Sequence, residues 1–196
     1  MIKTILFDVD GVLLNGQSFT IELEREYGIS YDMTQPFFKG PFRDSTVGLR
    51  DMKEVLEPYL KEWKWPHGTD DFLEYWFTKE HSIDQSLINY IQRLRAAGTK
   101  CYLATNQERY RTTYIMERMG FADMFDGIFV SNDLGVKKPD VAFFEKAHQQ
   151  IPGVAKEEIL FWDDLAENVA AAEAYGIQAE LYTNFDDFTK KMELYV

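Results

Sequence analysis

Five short runs dense in apolar residues recur along the 196-residue chain: KTILFD (Lys3 to Asp8), KCYLAT (Lys100 to Thr105), GIFVS (Gly127 to Ser131), EILFWD (Glu158 to Asp163) and QAELYT (Gln178 to Thr183). Most do not alternate apolar with polar positions. Each therefore needs cover on both faces, the condition of a strand inside a parallel sheet. Stretches with helical spacing lie between them. Asp84 to Ala97 puts Leu87, Ile91 and Leu94 on one face and meets Gly98, a C-cap residue; Glu108 to Met119, Val141 to Gln150 and Ala166 to Tyr175 read similarly. Strand alternating with helix predicts an α/β fold, a Rossmann-like doubly wound parallel sheet.

One segment breaks the alternation. Residues 16–83 hold no convincing strand run but several helix-like pieces: Ser18 to Gly28, Asp44 to Trp63, in which Pro58 should end or kink the helix, and Asp70 to His81. A stretch of that length is no loop. It reads as a helical insertion placed directly after the first strand.

Composition bounds the function. A 45% hydrophobic, 15% aromatic chain can bury a substantial core. The net charge of -12 comes without any Lys/Arg block, which argues against a nucleic-acid partner. The single cysteine, Cys101, excludes a disulfide within the chain, argues against a cysteine-based zinc site and reads as a buried hydrophobe. No apolar run is long enough to span a bilayer, and the one at the N-terminus is short and ends in Asp8, unlike a signal peptide. A cytoplasmic protein with no membrane partner is the expectation.

Open α/β sheets place ligands at the carboxyl ends of their strands. There the sequence supplies Asp8, Asp10 and Gly11 after the first strand and Thr105 and Asn106 after the second. Lys137, Lys138 and Pro139 come a few residues after the third, and Asp163 and Asp164 at the end of the fourth. If strands one and four are neighbours, four carboxylates converge and cannot all stay ionised without a cation. Oxygen donors without His or Cys favour Mg²⁺. A hydroxyl at Thr105, backbone N–H groups beside it at Asn106 and a lysine ammonium suit a phosphate. A carboxylate held against a phosphoryl group can attack phosphorus and form an aspartyl-phosphate. A second acid two residues on can protonate the leaving oxygen and later deprotonate a water. Each piece alone has a plainer reading, such as an acidic turn, a helix cap or a solvated Lys-Lys-Pro turn. Their joint order at four strand ends is what points to chemistry.

The motifs LFDVDGVLL, YLATNQ, GVKKPD and LFWDDLAENVAAAEAYGI resemble those of the haloacid dehalogenase superfamily, and the last resembles its sugar-phosphate phosphatases. The resemblance implies strand order 5-4-1-2-3, a catalytic core of residues 1–15 and 84–196, a mobile flap at Gly11 to Gly16 and a small helical cap over 16–83. It implies Asp8 as nucleophile and metal ligand and Asp10 as general acid/base, reaching the metal through its backbone carbonyl. Thr105 becomes a phosphate-binding hydroxyl, Lys138 the neutralising lysine, Asp164 the direct metal ligand, and Asp163 a ligand directly or through water. The implied activity is a Mg²⁺-dependent phosphatase of a small phosphorylated metabolite, with a sugar phosphate as first expectation. A phosphomutase or a non-catalytic phosphate-binding module are the alternatives; a monomer or weak homodimer is expected, on no particular sequence signal. Asp rather than Tyr at position 10 favours phosphoryl over dehalogenase chemistry. Trp162, larger than usual before the acidic pair, and Leu165, where Ser, Thr or Asn is frequent, depart from the pattern. The aromatic residues Phe37, Phe38, Phe42, Trp63, Trp65 and Trp76 are expected to form the insertion's core, with one or two at a substrate entrance. Lys39 and Arg43 are expected to be solvated, and His67, His81 and His148 match no metal spacing.

Overall fold

A computed structural model describes residues 1–195. Strand β1 (Thr4–Phe7) is followed by helices α1 (Phe19–Tyr27), α2 (Tyr31–Lys39), α3 (Phe42–Ser45), α4 (Met52–Glu62), α5 (Thr69–Lys79) and α6 (Gln85–Ala96). Next come β2 (Lys100–Thr105), α7 (Arg109–Thr113), α8 (Phe121–Met124), β3 (Gly127–Val130), α9 (Ser131–Leu134) and α10 (Val141–His148). The chain ends with β4 (Ile159–Asp163), α11 (Ala166–Tyr175), β5 (Gln178–Leu181) and α12 (Phe185–Met192). The five strands form one sheet of order β3-β2-β1-β4-β5, and every pairing is parallel. This is the expected order, counted from the opposite edge. Phe7 sits opposite Leu103 of β2 and Trp162 of β4, so strands one and four are indeed neighbours.

All four residues of β1 are buried, and strand alternation sends them to two faces. Ile5 and Phe7 join Leu87 and Ile91 of α6 and Phe188 of α12, while Leu6 joins Phe143 and Phe144 of α10 and Ala172 of α11. The first of these cores does not stop at the sheet. It continues through Leu13 and Leu14 into Phe19, Leu23, Phe37, Leu56, Trp63 and Phe72 of the inserted helices. Phe37, Trp63, Trp65, Phe72 and Trp76 are buried in it, and Phe19 stacks on Trp76 at 4.9 Å. The same alternation explains Trp162. It falls on the α12 face, 4.7 Å from the Phe188 ring, where an aromatic cluster absorbs its volume away from the acidic pair.

Several boundaries differ from the sequence expectation. Asp44 to Trp63 is two helices, because Gly48 turns with φ +74 and Asp51 caps α4 through its side chain. Pro58 lies inside α4 without ending it. Its missing N–H forfeits one helical hydrogen bond, but Val55, Leu56 and Leu60 bury the helix face across it. Helix α2, which also contains a proline, Pro36, has no counterpart in the sequence expectation; Ser30 caps it. Glu108 to Met119 is the short α7 followed by a π-helical turn, Tyr114–Arg118. Among the described residues no helix is long and apolar enough to cross a membrane.

Helix α11 starts at Leu165, whose extended backbone suits an N-cap but whose side chain accepts no hydrogen bond. Leu165 is 48% exposed, so little apolar burial is lost by replacing it. Leu165→Ser is expected to stabilise the fold by about 1 kcal/mol, read as a rise in Tm of roughly 2–4 °C in a thermal melt.

Candidate active site

The chain leaves β1 at Asp8, whose N–H still bonds the Trp162 carbonyl at 2.9 Å and so fixes Asp8 beside β4. The Asp8 Oδ1 accepts from the Val9 N–H at 2.7 Å and lies 2.9 Å from the Lys138 ammonium. The same ammonium donates to Asp163 Oδ2 at 2.6 Å. Lys138 is 2% exposed, and it is Lys138 rather than Lys137 that reaches the acids. Asp163 is fully buried; Asn168 Nδ2 donates to both of its oxygens, at 2.9 and 3.0 Å, and the Leu165 N–H donates to Oδ1 at 2.9 Å.

Asp164 is the most open of the clustered acids. One oxygen each of Asp8, Asp163 and Asp164 lie within 4.8 Å of one another. Gly11 makes this approach feasible. A Cβ on Gly11 would stand 2.2 Å from Asp164 Oδ2, and the glycine's φ of +83 would strain any other residue. Burial pushes the Asp8 carboxyl up to about 7, with Asp163 adding to the rise and Lys138 opposing it. Burial and the neighbouring Asp163 also raise Asp164. Lys138 pairs with two of the three carboxylates, and the ionised forms of Asp8 and Asp164 are disfavoured as they stand. A hard, oxygen-only donor set of this kind fits Mg²⁺.

The remaining expected residues divide. Thr105 is buried and lines, with Asp8, Asp164 and Asn168, a cavity of about 340 Å³. The side chain of Asn106 does not face a ligand alone. Its Oδ1 accepts from the Lys138 N–H and its Nδ2 donates to the Lys138 carbonyl, both at 2.9 Å. It thereby fixes the backbone that delivers the ammonium. The Asp10 side chain stands apart from the acidic trio. Gln107 Nε2 donates to its Oδ2 at 2.5 Å, so only its backbone carbonyl is left for the metal role the resemblance implied. Lys39 and Arg43 are exposed, and both His148 nitrogens are satisfied, by Tyr175 Oη and the Val154 carbonyl.

Sequence reasoning gave no role to Asn168, Gln107, Glu80 or Arg111. Asn168 follows the acidic pair within the first turn of α11, and Gln107 and Arg111 are spaced four apart after β2. Gln107 precedes the Glu108 N-cap of α7, so helical spacing gave no signal linking the two. Glu80 carried no local signal.

The description "haloacid dehalogenase-like hydrolase" belongs to the family model that matches residues 2–176. Pyrimidine 5'-nucleotidase PynA of Streptococcus pneumoniae is 33% identical over 197 residues, covering 92% of this chain and 83% of its own. Sesquiterpene phosphatase astK of Aspergillus oryzae is 37% identical over 94 residues; the match takes in 48% of this chain and about half, 47%, of that protein. A HAD-like family hydrolase from Porphyromonas gingivalis superposes with a TM-score of 0.82 at 23% identity, covering 99% of this chain and 97% of its own. A HAD family enzyme from Bacteroides thetaiotaomicron, crystallised with magnesium and inorganic phosphate, superposes with a TM-score of 0.80 at 20% identity over the full length of both chains.

Two measurements address the cluster. Lys138→Met leaves Asp163 buried without its cation and is expected to destabilise the fold by about 3 kcal/mol or more in chemical denaturation. Added Mg²⁺ is expected to raise the Tm of the wild type, and Asp164→Asn or Gly11→Ala to remove most of that rise.

Proposed function

The chain belongs to the haloacid dehalogenase-like hydrolase family, and from that membership we propose a Mg²⁺-dependent phosphatase of small phosphomonoesters that works through an aspartyl-phosphate on Asp8. One observation carries the reading. The buried Lys138 ammonium holds Asp8 Oδ1 against Asp163 Oδ2 while, among the described residues, no hydrogen bond or ion pair occupies Asp8 Oδ2. That oxygen is the nucleophile. It forms a bond to phosphorus as the ester P–O bond breaks, and Asp10 gives its proton to the leaving oxygen. Asp10 then takes a proton from water as the water oxygen attacks phosphorus, the Asp8–phosphorus bond breaks and phosphate departs.

The chain's other groups bind and orient. The Thr105 hydroxyl and the Asn106 N–H donate to phosphoryl oxygens, and Lys138 offsets the charge shared by Asp8 and phosphate. Gln107 holds the Asp10 carboxyl in place through its 2.5 Å hydrogen bond. Mg²⁺ would be held by oxygens of Asp8 and Asp164 and by the Asp10 carbonyl, with Asp163, whose oxygens accept from Lys138, Asn168 and the Leu165 N–H, contributing its charge from behind, and it would supply charge neutralisation at the phosphoryl group. Residues 16–83 act as the cap over a core of 1–15 and 84–196. This is supported by a cavity of about 400 Å³ walled by Phe38, Phe42 and Trp76 on one side and Asp10 and Gln107 on the other. Three of the aromatic residues, not one or two, reach that entrance.

Relatives named as a pyrimidine 5'-nucleotidase, a ribulose-1,5-bisphosphate 5-phosphatase and a glyceraldehyde 3-phosphate phosphatase support a small phosphorylated metabolite as substrate. With p-nitrophenyl phosphate, Asp8→Asn is expected to lower kcat by about 10³-fold or more. Asp10→Asn is expected to lower it by about 10²–10⁴-fold. EDTA should abolish turnover and Mg²⁺ restore it, with free orthophosphate rather than an isomerised ester as the product. Wild-type turnover by the Asp8→Asn protein would overturn the assignment.

A further inference from the structure

The 400 Å³ cavity shares Asp10, Gly11 and Asn106 with the acidic cavity and is lined otherwise by residues of the inserted segment and by Leu14, Gln107 and Arg111. At its wall lies Arg111, 3% exposed, with its guanidinium centre 5.2 Å from the Phe77 ring and 5.9 Å from the Tyr114 ring. Arg111 Nη1 donates to the Phe77 carbonyl at 3.2 Å. Its Nη2 is buried and has no hydrogen-bond partner among the described residues. Asp10 Oδ1 and Glu80 Oε2 stand 3.7 and 3.6 Å from it, too far for hydrogen bonds. A buried guanidinium donor left unpaired costs free energy that a ligand oxygen can recover. Glu80 is fixed by Trp76 Nε1, which donates to Oε2 at 2.7 Å, and it presents a carboxylate next to the free donor.

We propose that Arg111 and Glu80 read the leaving group of the substrate as a pair, donor beside acceptor, while Phe38, Phe42 and Trp76 cover its flat apolar face. The inference rests on the phosphatase reading of the neighbouring cavity. A neutral group offering an acceptor next to a donor satisfies both side chains at once. Vicinal hydroxyls of a sugar do this, and so does the carbonyl/N–H edge of a pyrimidine; each also offers a flat face to aromatic rings. A second anionic group is disfavoured, because the single guanidinium already faces two carboxylates, Asp10 and Glu80. Arg111 and Glu80 are thus specificity-determining residues for a neutral, hydrogen-bonding leaving group.

The test measures kcat/KM with Mg²⁺ for ribose 5-phosphate, which has vicinal hydroxyls and no base, and for deoxyuridine monophosphate, which has the pyrimidine edge and no vicinal diol. Phosphoglycolate supplies an anionic leaving group and phenyl phosphate one with neither feature. At least one of the first two is expected to exceed phosphoglycolate and phenyl phosphate, and which one does identifies the source of the recognised pair. Arg111→Met should lower the ratio of that kcat/KM to the phenyl phosphate value about tenfold or more, mainly through KM, and Glu80→Gln about threefold or more. A parallel fall for all substrates, as a purely structural or Asp10-neutralising role gives, would overturn the proposal; so would an unchanged ratio or a preference for phosphoglycolate. If Arg111→Met does not fold, Glu80→Gln carries the test. Dissociation constants of the same esters with the Asp8→Asn protein, measured by ligand-observed NMR, need no turnover. A Kd weakened tenfold by adding Arg111→Met supports the proposal even where the phosphatase reading fails, and binding that is absent or indifferent to Arg111→Met overturns it.

Discussion

The buried ammonium of Lys138 is the interaction on which the site depends. It joins Asp8 at the end of β1 to Asp163 at the end of β4, and its own backbone is clasped by Asn106 at the end of β2. Asp163 is in turn tied to Asn168 of α11. Three strand ends and a helix are therefore aligned around one charge. Such a pair is expensive to desolvate and is tolerated only when every remaining lone pair finds a partner. Asp163 meets that condition with three further hydrogen bonds, whereas Asp8 keeps one oxygen free among the described residues and is pushed up to about 7 by burial. In the proposed reaction the asymmetry separates the anchoring carboxylate, Asp163, from the attacking one, Asp8.

Much of this was legible in the sequence, and for physical reasons. Strands buried on both faces must be densely apolar, so all five could be located, and an open sheet puts its chemistry at strand ends, so Asp8, Thr105, Lys138 and Asp164 could be named. What escaped depends on contacts between distant segments. Asn106 looks like a phosphate ligand in sequence and Asn168 carries no assigned role, yet their side chains position Lys138 and Asp163. The break between α3 and α4 follows from Gly48, where a Cβ would stand 2.8 Å from the Asn132 carbonyl, a neighbour 84 positions away by its number. Arg111 and Glu80 are 31 positions apart and meet only when the helical segment has packed against the strands.

In the proposed reading the two cavities divide the work of recognition. One is lined by carboxylates and a hydroxyl, the other by aromatic rings and the Arg111–Glu80 pair, and Asp10, Gly11 and Asn106 belong to both. The seam between them is where an ester oxygen would lie, and Gln107 holds the Asp10 carboxyl there. In the proposed reaction the acid thus stands at the boundary between the group transferred and the group released.

The apolar core that runs without interruption from Phe7 through Leu13 and Leu14 to Phe19 and Phe72 has a mechanical corollary. Swinging the inserted helices away as one slab would wet several large side chains, each at about 1.5–3 kcal/mol. Entry for a reactant is therefore expected through small local yielding near the exposed stretch 15–18, not through a wide gape. A packing fault deep among the helices would be transmitted through that core to Leu14, which bridges Asp10, the residue that carries the proton in the proposed reaction.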